Sequence, residues 1–367
     1  MGARTQLGPN PITWNWVTRL CRILCLLPVP MLAFSQGLAA DPCQQGSQAL
    51  QQKNFVLAET ALKRCLAARP AELRPYLELC GLYQTQGREG DLAGIASEGL
   101  KRFPGEQRFY MTVGNHAGRA GQYERAVQVF AEAHRRWPLQ KGLQESLADA
   151  HLYLGLRFLD KAQNVEAEPH LQEAVRLAER DIDARLNLGR ALHNLNRSVE
   201  AIAQFDRVIA IAPKTPLVWF HRGMVRQALG ELEGAVADVS EEIRLNPGYP
   251  PSYLVRGRAY FTQARFTEAL ADLDLAVKKM PENGKAVFAR GRCLQQLQRL
   301  SEAEEDYRKA VSLEPDNPEP MNTLARLLLL GGKREESESL FQEARRKSIE
   351  GRTVKAGEIQ FASPSQR

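Results

Sequence analysis

The sequence lacks the short signatures around which most catalytic sites are built. It has no GxSxG nucleophile turn, no HExxH pair, no GxxxxGK[ST] phosphate loop and no GxGxxG, and Gly331-Gly332-Lys333 lacks the phosphate-loop spacing. Histidine is scarce: His116, His134, His151, His170, His193 and His221 are scattered without metal-ligand spacing, and no CxxC or Cys/His pair supplies it. A strong charge is also missing. The formal net charge is +6, and the first forty residues hold Arg4, Arg19 and Arg22 with no acid, which leaves +3 (6 − 3) for a chain starting near Asp41. These absences lead us to expect no enzyme, no cofactor and no metal centre, and a charge this small does not imply a nucleic-acid partner.

Apolar runs long enough to span a bilayer are equally lacking. The run from Ile23 to Phe34 is about 12 residues and contains Pro28 and Pro30, whereas a span needs about 20. With Arg19 and Arg22 ahead of it and Ser35-Gln36-Gly37-Leu38-Ala39-Ala40 behind it, residues 1–40 read as a bacterial-type signal peptide, cleaved near Ala39 or Ala40. The expected location is therefore exported, either periplasmic or secreted. Removal of that segment leaves Cys43, Cys65, Cys80 and Cys293. Three of them crowd near the new N-terminus, where an oxidising compartment permits a bridge. Cys43 with Cys65 is the expected pair, Cys65 with Cys80 the alternative, and Cys293 is expected to be a free thiol.

What the chain does have is a period. Pro213, Pro247, Pro281 and Pro315 stand 34 residues apart, Gly223, Gly257 and Gly291 share one register, and Ala235, Ala269 and Ala303 share another. Units this small cannot bury an apolar face alone and must stack on their neighbours. Pro70, Pro104 and Pro138 keep the same period on a register seven residues away, since Glu179, one period before Pro213, lies 41 residues after Pro138. Seven residues is close to two helical turns, so residues 141–147 read as a helical insertion between units at 41–140 and units at 148–348. Each unit reads as a helix of about 14 residues, a turn marked in places by Gly87, Gly121 or Gly230, and a second helix ended by proline. Residues 349–367 have no helical period and read as a disordered tail.

Trp219, Gly223, Ala235 and Pro247 in one unit, and Tyr253, Gly257, Tyr260, Ala269, Ala276 and Pro281 in the next, resemble the tetratricopeptide repeat family. Gly114, Tyr123, Ala126, Phe130, Ala133 and Pro138 match upstream, as do Leu154, Gly155, Phe158, Ala167, Leu171 and Ala174. The resemblance implies an all-α, right-handed α-solenoid of about nine helix-turn-helix repeats. It also implies a concave groove lined by the first helices, used to hold a protein or extended peptide rather than to catalyse.

Two arginine columns stand out. Where the family has leucine before the glycine, Arg222, Arg256 and Arg290 appear, and sixteen residues later Asp238, Asp272 and Asp306. Antiparallel packing makes these a ladder of ion pairs; arginines reaching into the groove are the alternative. The residue after the glycine, a groove position in the family, reads Gly81, Asn115, Leu156, Arg190, Met224, Arg258, Arg292 and Arg326. Around it fall Asn187, His193, Asn194, His221, Phe220 and Phe288. This set suits an extended acidic peptide or partner protein in an extracytoplasmic assembly. The rival reading is an accessory subunit that positions a polysaccharide or peptidoglycan enzyme of the cell envelope.

Overall fold

The structure is a computed structural model that describes residues 41–360, with side chains up to 350. The expected signal segment therefore lies outside the described residues. Among those described, the chain forms eighteen α-helices and no strand, and no helix is long and apolar enough to cross a membrane. The first helices of successive pairs are α1 (Pro42–Gln51), α3 (Leu73–Thr85), α5 (Gln107–Arg119), α7 (Lys141–Asp160), α9 (Ile182–Asn194), α11 (Val218–Ala228), α13 (Pro250–Thr262), α15 (Gly284–Gln296) and α17 (Pro318–Leu330). Their partners are α2 (Phe55–Ala68), α4 (Glu89–Arg102), α6 (Tyr123–Arg136), α8 (Asn164–Leu177), α10 (Ser198–Ile211), α12 (Leu232–Leu245), α14 (Phe266–Lys279), α16 (Leu300–Leu313) and α18 (Arg334–Gln360).

Two compact units divide the chain, the first ending at Glu78 and the second beginning at Leu79. In the first, α1 and α2 form a hairpin joined by a Cys43–Cys65 disulfide with Cα atoms 4.9 Å apart. In the second, successive helices pack each on the next as an all-α helical-repeat solenoid. The seven extra residues fall inside α7, which has 20 residues against 13 in α5 and α9.

Helix pairs close through one repeated contact. A Cβ placed on Gly114 would stand 2.5 Å from the Phe130 ring, and one on Gly291 would stand 2.8 Å from Tyr307, each sixteen residues on. Such separations leave room for hydrogen alone, so the two backbones meet at the glycine. The joints between pairs are fixed by a second device. Tyr76, Tyr110 and Tyr253 donate their hydroxyls, and Trp219 its indole N–H, to the carbonyl six residues upstream, that of Pro70, Pro104, Pro247 and Pro213. Where Glu179 replaces the proline, Arg185 replaces the aromatic and its Nε donates to the Glu179 carbonyl at 2.7 Å. At His151 the continuous α7 leaves no loop six residues back. Its Nδ1 instead lies 3.0 Å from Nδ1 of His170.

The turn inside every pair holds one residue in the left-handed region. Gly87, Gly121, Gly230 and Gly332 do so with φ of 67°, 70°, 81° and 79°, but Lys53, Ala162, Asn196, Ala264 and Gln298 occupy the same place with φ of 57–61°. Turn glycine thus marks four of the nine turns, and elsewhere the fold tolerates a strained Cβ. At the C-terminus the structure corrects the sequence reading. Helix α18 continues through residue 349 to Gln360 instead of giving way to an irregular tail. The next proline is Pro364, so no proline interrupts the helical hydrogen bonds before 360. Residues 361–367 lie outside the described part.

The ion-pair column is bidentate throughout. Arg222 Nε and Nη2 donate to Asp238 at 2.8 and 2.6 Å, Arg256 to Asp272 at 2.7 and 2.8 Å, and Arg290 to Asp306 at 2.8 and 2.7 Å. The remaining Nη1 of each reaches sixteen residues backward, into the preceding pair: to Asp206 at 2.5 Å, Ser240 at 3.1 Å and Asp274 at 3.2 Å. One guanidinium therefore ties three helices. The aspartates are buried, Asp238 with only 3% of its side chain exposed. Burial at this level makes an unpaired partner costly and the intact pair only modestly favourable.

Two outcomes follow for stability in urea. Arg256→Met should cost about 3 kcal/mol by stranding the Asp272 carboxylate, and adding Asp272→Leu should restore most of that loss; equal stability of the single and double variants would contradict the assignment. Ala264→Gly and Gln298→Gly should each raise stability by about 0.5–1 kcal/mol, because glycine relieves the left-handed strain.

Candidate partner-binding groove

Successive residues on a helix point about 100° apart, so the arginine after the glycine faces a different direction from the one before it. Arg190, Arg258, Arg292 and Arg326 are all exposed. Among the described residues none of the four forms an ion pair, in contrast to Arg222, Arg256 and Arg290. Arg190 Nη1 donates to Asn187 Oδ1 at 2.7 Å. Arg292 lies over the Phe261 ring at 4.8 Å and at the edge of reach of Phe288 at 6.0 Å. These are contacts with neutral groups, which orient the guanidinium and leave its charge uncompensated.

The other groove candidates divide by burial. Phe220 and Phe288 are core residues rather than open anchors, 6% and 9% exposed. Phe220 packs edge-on against Tyr249 at 5.2 Å and clusters with Val239 and Val255; Phe288 leans on Tyr307 at 5.6 Å. Their apolar rings fill the gap between neighbouring pairs, a demand that a residue count cannot distinguish from display on the face. Asn187 is buried too, its amide donating to the Asp183 carbonyl at 2.7 Å, so it serves Arg190 from below. Asn194 is exposed and donates to Asn164 Oδ1 at 2.9 Å.

His193 and His221 are half-buried, and burial disfavours the charged form of both. Burial, then the nearby Arg190 and His193, push His221 down to about 4, and burial also lowers His193. The His221 ring stacks on Phe205 at 6.0 Å, held by packing as a neutral ring.

Near the C-terminal end, Phe288, Arg292, Asn322, Thr323 and Arg326 line an open depression of ≈ 490 Å³, with Glu319 at its side. Asn322 and Thr323 escaped the sequence reading. They stand four and three residues before Arg326 on α17, hence on its face, and helical spacing from the arginine column would have found them. Asn322 donates to the Pro318 carbonyl at 2.9 Å, which leaves its amide oxygen to accept.

The imidazoles of His151 and His170, which meet directly, are a different kind of site. The Nδ1 atoms are 3.0 Å apart and the ring centroids 5.2 Å apart, so the nitrogens lie between the rings and face each other. At this distance one Nδ1 carries a proton and donates it to the lone pair of the other, whereas a metal would need both lone pairs to converge on a third point. Burial, reinforced by His170, pushes His151 down to about 4, and the stacked Phe158 covers the His170 ring.

Tetratricopeptide repeat family models match residues 158–219 and 254–320. Similar solved structures include MamA (residues 41 to the end) from Desulfovibrio magneticus RS-1, 23% identical, covering 46% of this chain and 95% of that one with a TM-score of 0.42. YrrB, described as a TPR protein with an unusual peptide-binding site, is 21% identical over 52% of this chain and 95% of its own, with a TM-score of 0.40. The Cut9–Hcn1 hetero-tetramer of the APC/C is 14% identical over 83% of this chain and 62% of that one, with a TM-score of 0.52, and shares the fold. No curated protein sequence matches the chain. The two matched segments are tetratricopeptide repeats, and the glycine contact and upstream-carbonyl bond of those repeats recur in helix pairs outside them.

Proposed function

We propose that the chain is a non-enzymatic protein-interaction scaffold whose first helices hold an extended acidic segment of a partner. The observation that carries the reading is the contrast between two arginine columns one residue apart. The column before the glycine is neutralised by aspartates, whereas Arg190, Arg258, Arg292 and Arg326 keep uncompensated charge on exposed helix faces. A structural role accounts for the first column and leaves the second unexplained. Each guanidinium offers a planar fork to a carboxylate, and the half-buried Phe261 ring beside Arg292 adds apolar contact. A preformed face loses little conformational entropy on binding, so modest contacts add up.

An extracytoplasmic setting fits this reading. The charged, apolar and small-residue order of residues 1–40 supports export, and the disulfide-bonded first hairpin suits an oxidising compartment. A role beside a cell-envelope enzyme remains compatible with export, but an arginine column is poorly matched to neutral sugars, which call for stacked aromatics and carboxylates.

The test is binding of labelled Asp/Glu-rich peptides followed by fluorescence anisotropy. Arg258→Ala with Arg292→Ala should weaken binding about tenfold or more without changing helicity, and raising the salt concentration should weaken the parent similarly. With His221 pushed down to about 4, that imidazole is neutral above pH 6, and burial disfavours the charged form of His193 in the same sense. Affinity should therefore owe nothing to His221 ionisation between pH 6 and 8, and should fall below about pH 4.5, where the peptide carboxylates become protonated over the same range in which His221 gains charge. Unchanged affinity in the double variant would overturn the groove assignment.

A further inference from the structure

We propose that reduction of the Cys43–Cys65 disulfide turns the first hairpin into a binding site for a thiophilic divalent cation such as zinc, with Glu72 as its third protein ligand. Among the described residues, Cys43, Cys65 and Glu72 bring metal-capable atoms within 4.8 Å of one another. Glu72 Oε2 lies 3.4 Å from Cys43 Sγ and 3.9 Å from Cys65 Sγ. A carboxylate against a disulfide has no proton to accept from it; its nearest charge partner is the Arg69 guanidinium, 3.8 Å away. The same carboxylate beside two thiols completes a sulfur–sulfur–oxygen set of the kind zinc takes.

Sequence spacing hides this set, because the ligands come from the first turn of α1, the last turn of α2 and the loop before α3. The antiparallel hairpin brings the two cysteine Cα atoms to 4.9 Å, close enough for both sulfurs to reach one ion at about 2.3 Å. Cys65 is fully buried, whereas the Glu72 side chain is 40% exposed, so a cation enters from the Glu72 side and a water completes a tetrahedron there. Arg69 Nη1 stands 3.6 Å from Cys43 Sγ and 3.0 Å from Asp41. Its positive charge favours the thiolates and offsets the single net negative charge left when a dication meets two thiolates and a carboxylate.

The steps balance with an external dithiol as reductant. The dithiol gives two electrons and two protons to the sulfur–sulfur bond and becomes a disulfide itself. The two new thiols then release two protons to water as two metal–sulfur bonds form. Cys80 and Cys293 do not compete. Burial pushes the Cys80 thiol up to about 12 and Cys293 to about 11, and Cys293 donates its S–H to the Phe266 carbonyl at 3.1 Å. The hairpin is thus fastened in either redox state, by a covalent bond or by a metal.

The test is cobalt(II) titration of the full chain carrying Cys21→Ser and Cys25→Ser, reduced with a dithiol and separated from it under nitrogen. Thiolate-to-cobalt charge-transfer absorption should rise to one cobalt per chain, with none in the oxidised protein. Glu72→Gln, which keeps both thiols and the side-chain shape, should weaken cobalt binding at least about tenfold, since even outer-shell changes cost that much. Cys80→Ser with Cys293→Ser should leave the titration unchanged. Absence of the band in the reduced chain, unchanged affinity in Glu72→Gln, or loss of the band with Cys80→Ser and Cys293→Ser would each overturn the proposal.

Discussion

The rest of the repeat depends on how closely its two helices can meet. Glycine at one position lets a side chain sixteen residues later, Phe130 or Tyr307 for instance, rest against bare backbone. That contact sets the direction of the neighbouring residues. The residue before the glycine is turned by about 100° toward the partner helix and the preceding pair, and the residue after it by about 100° the other way. Arginine in the first place is enclosed by aspartates; arginine in the second is left at the surface. One geometric constraint thus assigns opposite duties to adjacent side chains of the same type.

The buried column also illustrates how charge serves specificity in a repetitive molecule. Stacked units with similar apolar faces can slip, and a guanidinium bidentate to its own pair and singly bonded to the previous one fits a single register. Substituting apolar side chains for both partners would keep the packing and discard that register check. The carbonyl six residues upstream of Tyr110, Trp219 or Tyr253 works alongside it, fixing the angle at which each pair follows the last.

Much of this was legible in the sequence because the period is long-range and exact in residue count: the helix pairs, the two-turn lengthening of α7 and the Arg–Asp offset all follow from spacing. What spacing does not encode is burial and strain. Phe220 and Phe288 fall on groove registers yet point into the gap between pairs. Ala264 and Gln298 adopt a conformation that glycine usually announces. Arg185 takes over an aromatic's hydrogen bond through a chemically unrelated group. His151 meets His170, and Glu72 meets the disulfide, only because antiparallel helices bring distant residues together. Low hydrophobicity beyond residue 348 removes the periodic signal of a helix without ending the helix itself, which runs to Gln360.

The central claim, that two arginine columns one residue apart differ in accessibility and purpose, is tested most directly by arginine-selective dicarbonyl modification read out by peptide mass spectrometry. The account predicts rapid modification of Arg190, Arg258, Arg292 and Arg326, suppressed by a bound acidic peptide, and slow modification of Arg222, Arg256 and Arg290 until the chain is unfolded. Equal rates across the two sets in the native protein would contradict it.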